Sequence, residues 1–316
     1  MRASFVIPLY NCLPLTQAMV ASLQASLPAD LSHEIILVDD GSTDGTREWL
    51  RTLDPARGFV VVFNERNLGY AGANNRGAAL ARGEFLGLLN NDLELSRGWL
   101  EPMLAVHGRL GASAGLVGNI QYNFRTGEVD HAGIYIDHRG KPAHLTSLPL
   151  LRRLYASDAW RPADAVTGAC TLVRRELFVR LGGFDEGFAN GGEDVDFCLR
   201  ARAAGHVTAL ALRSAVRHHV SASPGRKLRD EQNSRRLTLR WRDELARLAA
   251  RSSWCGHYLE SRWTSPHDPA DYDLAAQALA YELHLRRTPP PAAYAAMQSA
   301  IAHEIDRWNQ LLGAAA

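Results

Sequence analysis

The sequence predicts an α/β fold: a mostly parallel, doubly wound sheet flanked by helices, followed by a helical C-terminal extension. Three observations carry this. Short apolar runs alternate with segments of helical spacing in the order βαβαβαβ. Each of several runs stops abruptly at a polar loop. Beyond Pro266 only helical spacing remains.

Residues 3–7 read as a first buried strand, with Pro8-Leu9-Tyr10-Asn11 leaving its carboxyl end. Leu15, Met19, Val20, Leu23 and Leu27 recur at helical spacing, so a crossover helix follows. Residues 34–38 form a second strand running into a polar loop from Asp39 to Thr46. That loop opens a helix to about Leu53, with Asp44 or Thr46 as caps. Residues 59–63 are a third strand. The small-residue segment from Asn67 through Gly69 and Asn74 becomes a helix ending near Arg82-Gly83.

The fourth run, Glu84-Phe85-Leu86-Gly87-Leu88-Leu89, is continuously apolar after its first residue, as suits a strand covered on both faces. It stops at Asn90-Asn91-Asp92. In a parallel sheet such carboxyl-end loops open on one side, where α/β proteins bind ligands. Asn-Asn-Asp alone is also ordinary turn chemistry. Three polar strand ends converging on one side favour a nucleotide-binding crevice, in which Asp92 and waters can hold a hard divalent cation.

From Val117 to Val166 the pattern changes. Residues 129–136 read as a strand, 145–164 as an irregular, variable loop on the acceptor side, 166–173 as a strand and 174–181 as a short helix. A glycine-rich stretch then leads into a helix that starts near Glu193 and closes at Gly205. Glu193 and Asp194 occupy its first turn, where the macrodipole keeps carboxylates ionised. Adjacent side chains on a helix diverge by about 100°, so one acid caps the helix and the other is left to accept a proton from an incoming hydroxyl. Residues 209–220 suggest an edge strand ending in Arg217-His218-His219-Val220. Neighbours on a strand face opposite ways, so only one histidine can face Asp92.

Of 316 residues, 46% are hydrophobic and 22% charged. Lys+Arg 35 against Asp+Glu 34 gives a net charge of +1, which excludes a bulk field for nucleic acid. Cys12, Cys170, Cys198 and Cys255 have neither zinc nor redox spacing, as expected of buried thiols in a reducing compartment. The first apolar run breaks at Pro8, too early for a signal peptide, and no run is long enough to span a bilayer. A soluble cytoplasmic protein is expected. No G-x-G-x-x-G follows the first strand and no Walker lysine motif occurs, so dinucleotide dehydrogenases and P-loop enzymes lack their phosphate cradle. A metal on Asp92 would neutralise a diphosphate instead. From Arg213 to Arg251 eleven Arg or Lys stand against four acids. Three readings stay open for this stretch: contact with an anionic membrane at the inner face, closure over a diphosphate, or a solvated helical face. Tyr294, Met297, Ile301, Ile305, Trp308 and Leu312 form a helical stripe for packing on the main domain or on a second subunit.

With these segments in order, the chain resembles the family 2 nucleotide-sugar glycosyltransferases of the Rossmann-like GT-A fold, including bacterial rhamnosyltransferases of surface polysaccharide synthesis. The resemblance rests on Val6-Ile7-Pro8-Leu9-Tyr10-Asn11, Val38-Asp39-Asp40-Gly41-Ser42-Thr43-Asp44, Asn67-Leu68-Gly69 and Leu89-Asn90-Asn91-Asp92. It continues with Gly183-Phe184-Asp185-Glu186, Glu193-Asp194-Val195-Asp196-Phe197, and His218 with Ser223 downstream. It implies a catalytic domain over residues 1–225, with a nucleotide-binding half to about 115 and an acceptor half from about 116, then a helical extension over 226–316.

It further implies an inverting transferase with Asp194 as general base beside Glu193. Pro8, Tyr10, Asp39, Asn67, Gly69, Asn74 and Asn91 would line the nucleotide site. Asp92 and His218 would hold Mn2+ or Mg2+, with His219 facing outward. The implied partners are a pyrimidine nucleotide-sugar donor (dTDP-rhamnose, then a UDP-sugar) and a saccharide or lipid-linked acceptor. Peripheral membrane association and a homodimer through the C-terminal helices are open alternatives. Asn90 replaces the first carboxylate of the family's D-x-D motif, and Asn74 stands where many relatives carry Arg. The rival reading, a catalytically inactive nucleotide-sugar-binding or scaffold protein on the same fold, rests on that lost acid.

Overall fold

In the computed structural model the described residues are 2–148, 156, 158–219, 226–264 and 272–312. Along the chain run β1 (Ala3–Leu9), α1 (Leu13–Ser26), β2 (His33–Asp39), α2 (Thr46–Leu50), β3 (Phe59–Phe63), α3 (Gly69–Leu80), β4 (Phe85–Leu89), β5 (Leu93–Glu94), α4 (Leu100–Leu110) and β6 (Ala114–Asn123). Next come β7 (Val129–His131), β8 (Ile134–Ile136), β9 (Pro142–His144), β10 (Trp160–Pro162), β11 (Cys170–Arg174), α5 (Arg175–Arg180), α6 (Glu193–Ala203) and β12 (Val207–His218). The chain continues with α7 (Arg226–Ser252), α8 (Trp254–Thr264), α9 (Tyr272–Glu282) and α10 (Pro291–Leu312). It divides into two compact units, Met1–Ile134 with His144–Arg226, and Tyr135–Ala143 with Lys227–Ala316.

The first unit is built on one sheet of order β10-β12-β6-β11-β4-β1-β2-β3. β4, β1, β2 and β3 are mutually parallel, as the alternating pattern predicts. Every residue of β4 is buried. The small residues of α3 let it lie directly on β1 and β2, where a side chain at Gly77 would run into Val6 and Val38. Beyond β4 the sheet is mixed. β11 runs antiparallel between β4 and β6, while β12 is parallel to β6. The chain leaves β6 at the edge holding the carboxyl ends of the parallel strands and returns there to enter β11, which must therefore run back.

Three of the strand expectations change, and the helix expected to about Leu53 ends at Leu50 with Gly45 at its N-cap. The strand expected over 129–136 is broken by Gly133, whose φ of 102° ends β7 and starts β8. The strand expected over 166–173 begins only at Cys170. β12 is an interior strand rather than an edge, with β6 on one side and β10 and β5 on the other. Its burial comes from partners that sequence periodicity did not reveal: β6, which buries Asn119 and Gln121, and the three-residue β10.

In the second unit the segment Tyr135–Ala143 joins the four helices. Ser252 and Ser253 hydroxyls donate to the Ile136 carbonyl at 3.0 and 2.8 Å. Lys141 Nζ pairs with Glu304 at 2.8 Å and lies over the Trp308 ring. The C-terminal stripe is spent here: Met297, Ile301 and Trp308 are buried, and Ile301 packs against Gly140. α7 bends at Trp241, whose φ of −119° and ψ of 20° are not helical. All four cysteines are free. Among the described residues no helix is long and apolar enough to cross a membrane.

Candidate active site

Sheet direction alone gathers the site. The carboxyl ends of β1, β2 and β4 lie at one edge because the strands are parallel. β11, antiparallel to β4, starts at that edge, with Cys170 opposite Leu89. β12 ends there, since it is parallel to β6 and β6 to β4. Residues 8–11, 39–44, 90–92, 167–169 and 218–219 therefore share one rim.

The loops after β1 and β2 are tied together. The Asn11 amide donates to Ser42 Oγ at 2.8 Å, the Thr43 amide to Asn11 Oδ1 at 2.7 Å, and the Leu13 amide to Asp44 Oδ2 at 2.9 Å. These bonds hold Asn11 and Cys12 in the left-handed region at φ of 58° and 60°, strain of a kind that clusters at functional loops. Asp39 is fully buried and accepts from Arg47 Nε at 2.6 Å and from the Gly41 and Ser42 amides at 3.3 and 3.2 Å. Asp40 accepts from Asn64 Nδ2 at 2.7 Å and from the Leu68 and Gly69 amides at 2.8 and 2.9 Å, placing a carboxylate at the start of α3. Tyr10 is exposed and Pro8 half-buried.

The second cluster forms around α6. Glu193 is buried and turns back to accept from the Gly191 amide at 2.7 Å. Asp194 is half-buried and reaches across to the rim, accepting from the Gly168 amide at 2.9 Å. The two acids thus diverge, as their helix phase requires. The Gly168 carbonyl accepts from the Tyr70 hydroxyl at 2.7 Å. Burial, then the charges of Glu193 and Asp194, push the Tyr70 phenol well above its ordinary pKa. The Gly183–Glu186 segment positions this helix. Arg200 ties α6 to the Leu181 and Gly183 carbonyls at 2.6 and 2.8 Å, and Asn75 of α3 holds both the amide and the carbonyl of Phe184. Asn190, left-handed at φ of 57°, accepts from the Tyr70 amide at 2.8 Å.

The third cluster lies at the ends of β4 and β12. His218 Nε2 stands 3.2 Å from Asp92 Oδ1, and its Nδ1 stands 3.6 Å from Asp130 Oδ2. Burial disfavours the protonated ring, but Asp130 and Asp92 outweigh it and lift the pKa to about 9. His219 faces away and stacks on Phe124 at 3.9 Å, while its amide donates to the Asp92 carbonyl at 3.0 Å. The second and third clusters are joined by adjacent residues, since Ala169, next to Gly168, accepts from the Asn90 amide at 2.8 Å.

Among the described residues Asp92 Oδ1 is buried without a well-aligned hydrogen bond, and this anionic oxygen beside the imidazole Nε2 of His218 suits a divalent cation. Among the described residues no three His, Cys, Asp or Glu side chains gather as a ligand group, so further ligands would come from substrate oxygens and water.

Of the other expected site residues, Asn91 donates to Thr16 Oγ1 of α1 at 2.9 Å and thereby braces the strand end. Asn67 accepts from the Gly69 amide at 2.9 Å. Asn74 Nδ2 donates to the Tyr70 carbonyl at 2.9 Å, and its side-chain Oδ1 is buried without a hydrogen-bond partner among the described residues. Ser223 lies outside the described residues. Sequence reasoning missed Tyr70, Gly168 and Asp130. Tyr70 sits beside the quoted Asn67-Leu68-Gly69 and was within reach of it. Gly168 and Asp130 carry no local signal.

The family model described as "Glycosyl transferase family 2" matches residues 4–182, more than half of the chain. The chain belongs to glycosyl transferase family 2. It is 32% identical over 232 residues to the O-antigen biosynthesis protein RfbC of Myxococcus xanthus, across 70% of this chain and 18% of that one. It is 28% identical over 244 residues to the N-acetylglucosaminyl-diphospho-decaprenol L-rhamnosyltransferase of Mycobacterium tuberculosis, covering 69% of this chain and 76% of the relative. The chain spans less than a third of the length of the first curated relatives it matches, 28% of the uncharacterized protein y4gI of Sinorhizobium fredii and 18% of RfbC. Among solved structures it superposes on GalNAc-T7 with UDP, GalNAc and Mn2+ (TM-score 0.63, 20% identity, 97% of this chain and 57% of that one). It also superposes on S. aureus TarS 1-349 (TM-score 0.59, 15% identity, 98% and 90%). These likenesses establish the GT-A fold.

Proposed function

We propose that this family 2 glycosyltransferase inverts the anomeric centre in a single displacement, moving a sugar from a pyrimidine nucleoside diphosphate to a saccharide or lipid-linked acceptor of a surface polysaccharide. The observation that carries the reading is Asp194: a half-buried carboxylate at a helix start, aimed at the rim and fixed by the Gly168 amide. It takes the proton of the acceptor hydroxyl as that oxygen bonds to the anomeric carbon, and the bond from that carbon to the diphosphate breaks. A divalent cation, Mn2+ or Mg2+, held by Asp92 and His218 would neutralise charge on the leaving diphosphate. The rhamnosyltransferase and O-antigen relatives support the polymer and the sugar class, with dTDP-rhamnose first and a UDP-sugar second.

Correct proton acceptance contributes about 10²–10⁴-fold in rate. Asp194→Asn is therefore expected to lose transfer by that order while binding donor as well as the parent does. Near-native turnover, or failure only through lost nucleotide affinity, would refute the assignment.

The pyrimidine reading rests on Asp39 as acceptor for an imide N–H. Because Asp39 is fully buried, the incoming N–H would displace one of its long contacts, to the Gly41 or Ser42 amide at 3.3 and 3.2 Å. Calorimetry should rank dTDP and UDP above GDP, and the reverse order would overturn the base assignment. An inactive nucleotide-sugar binder remains the second reading, favoured by Asn90 where a carboxylate would double the metal's acidic ligands. Slow hydrolysis of the preferred nucleotide sugar by the parent, absent in Asp194→Asn, separates the two.

A further inference from the structure

The His218 ring is held between two carboxylates, one more than a ligand pair needs. Asp92 faces Nε2 at 3.2 Å and Asp130 faces Nδ1 at 3.6 Å. All three side chains are largely withdrawn from water, with exposures of 12% for His218, 15% for Asp92 and 25% for Asp130. The backbone shows why Asp130 points there. β7 pairs antiparallel with β6, Gln121 opposite His131 and Tyr122 opposite Val129, and the register shifts between those pairs. One step on β6 therefore faces two on β7, and Asp130 is the extra residue. Such a bulge turns a side chain away from the alternation the strand would otherwise impose. Its neighbour His131 is fully buried.

We infer that Asp130 is a positioning residue for metal binding: it fixes the proton of His218 on Nδ1 and leaves Nε2, beside Asp92, as the ligand nitrogen. An imidazole ligand generally needs its second nitrogen bound to an acceptor, which sets the tautomer, holds the ring plane and raises the basicity of the ligating atom. Of the two carboxylates, Asp92 belongs to the rim beside the β4 end. Asp130 lies on the far side of the ring from it, so the division of roles follows from their places. The inference rests on the reading of Asp92 and His218 as metal ligands.

The experiment measures Mn2+ affinity of the full chain by electron paramagnetic resonance, with UDP at saturation, for the parent, Asp130→Asn, His218→Ala, Asp92→Asn and the Asp130→Asn/His218→Ala double variant. Circular dichroism and thermal unfolding verify that each variant is folded. Outer-shell partners of this kind are worth about 10–100-fold in metal affinity, so Asp130→Asn is expected to weaken Mn2+ by that factor. In the His218→Ala background the same change should do almost nothing, because Asp130 acts through the ring. A full loss persisting in that background would mean that Asp130 acts by some other route, and the inference falls. Parent-like affinity in Asp130→Asn, with His218→Ala and Asp92→Asn both impaired, overturns the inference and leaves the metal reading standing. If His218→Ala and Asp92→Asn both bind Mn2+ as the parent does, the metal reading itself fails and takes the inference with it.

Discussion

Asp39 gives its whole carboxylate to the protein before any ligand arrives. It ends β2 with no exposed surface, accepting from Arg47 Nε at 2.6 Å and from two loop amides. Arg47 also donates to the Asn64 carbonyl and lies over Phe63 at 5.5 Å, so one side chain pins the loops after β2 and β3. Removing a partner from a buried ion pair strands a charge, while the 29% exposure of Arg47 returns part of that cost to water. Arg47→Met, which keeps the stem and deletes the cation, should cost about 2–3 kcal/mol, read as a lower denaturant midpoint at unchanged slope. Pyrimidine nucleotide affinity should fall with it, because the acceptor loses the group that orients it. A variant with parental stability and parental UDP affinity would show that the pair positions nothing.

At the scale of elements, α4 carries a buried histidine that links fold to pH. His107 Nε2 donates to the Leu172 carbonyl of β11 at 3.0 Å, and the ring lies 5.0 Å from that of Phe85. Burial, which outweighs the Leu172 bond, drives its pKa from 6.5 down to about 4. The unfolded chain therefore binds the extra proton first. Stability is full above pH 6.5, falls as pH drops from there to 4, and loses nothing further from this group below that. The slope approaches about 1.4 kcal/mol per pH unit. His107→Gln keeps a donor and removes the titration, so urea unfolding at pH 4.5 and 7.5 should show a shallower acid loss than in the parent. An unchanged difference between the two pH values would acquit His107. The same residue explains part of what the sequence concealed: α4 and β6 place His107, Asn119 and Gln121 in the interior, so their hydrophobic pattern is interrupted where it matters. β1, β2 and β4 were legible because both faces of each are covered and their apolar runs are unbroken. Helix phase showed that Glu193 and Asp194 must diverge, and strand alternation that only one of His218 and His219 could face Asp92. The choice of His218 came from the family resemblance. Asp130 was not legible, since a bulge suspends that alternation, and neither was Gly168, which enters the site through its backbone.

At the scale of the molecule the charge is uneven, and the unevenness sits largely on α7. The chain as a whole is at +1, yet Arg229, Arg236, Arg240, Arg242, Arg247 and Arg251 are all exposed on this helix, against exposed Asp230 and Asp243. The non-helical Trp241 separates Arg229, Arg236 and Arg240 from the rest, so the basic surface is two short stretches. Each exposed Arg near an anionic bilayer is worth about 1 kcal/mol, enough for reversible recruitment to a surface that presents a lipid-linked acceptor. The expected behaviour is co-sedimentation with phosphatidylglycerol vesicles but not with phosphatidylcholine ones. The binding should fade as salt rises, because the Debye length shortens to about 8 Å at physiological ionic strength. Replacing Arg229, Arg242 and Arg251 together by Gln should remove about 3 kcal/mol, roughly a hundredfold in partitioning. Transfer to a water-soluble saccharide acceptor should be unaffected, since none of the three belongs to the rim. Equal partitioning of parent and triple variant, or binding indifferent to lipid charge, would reduce the helix to a solvated face.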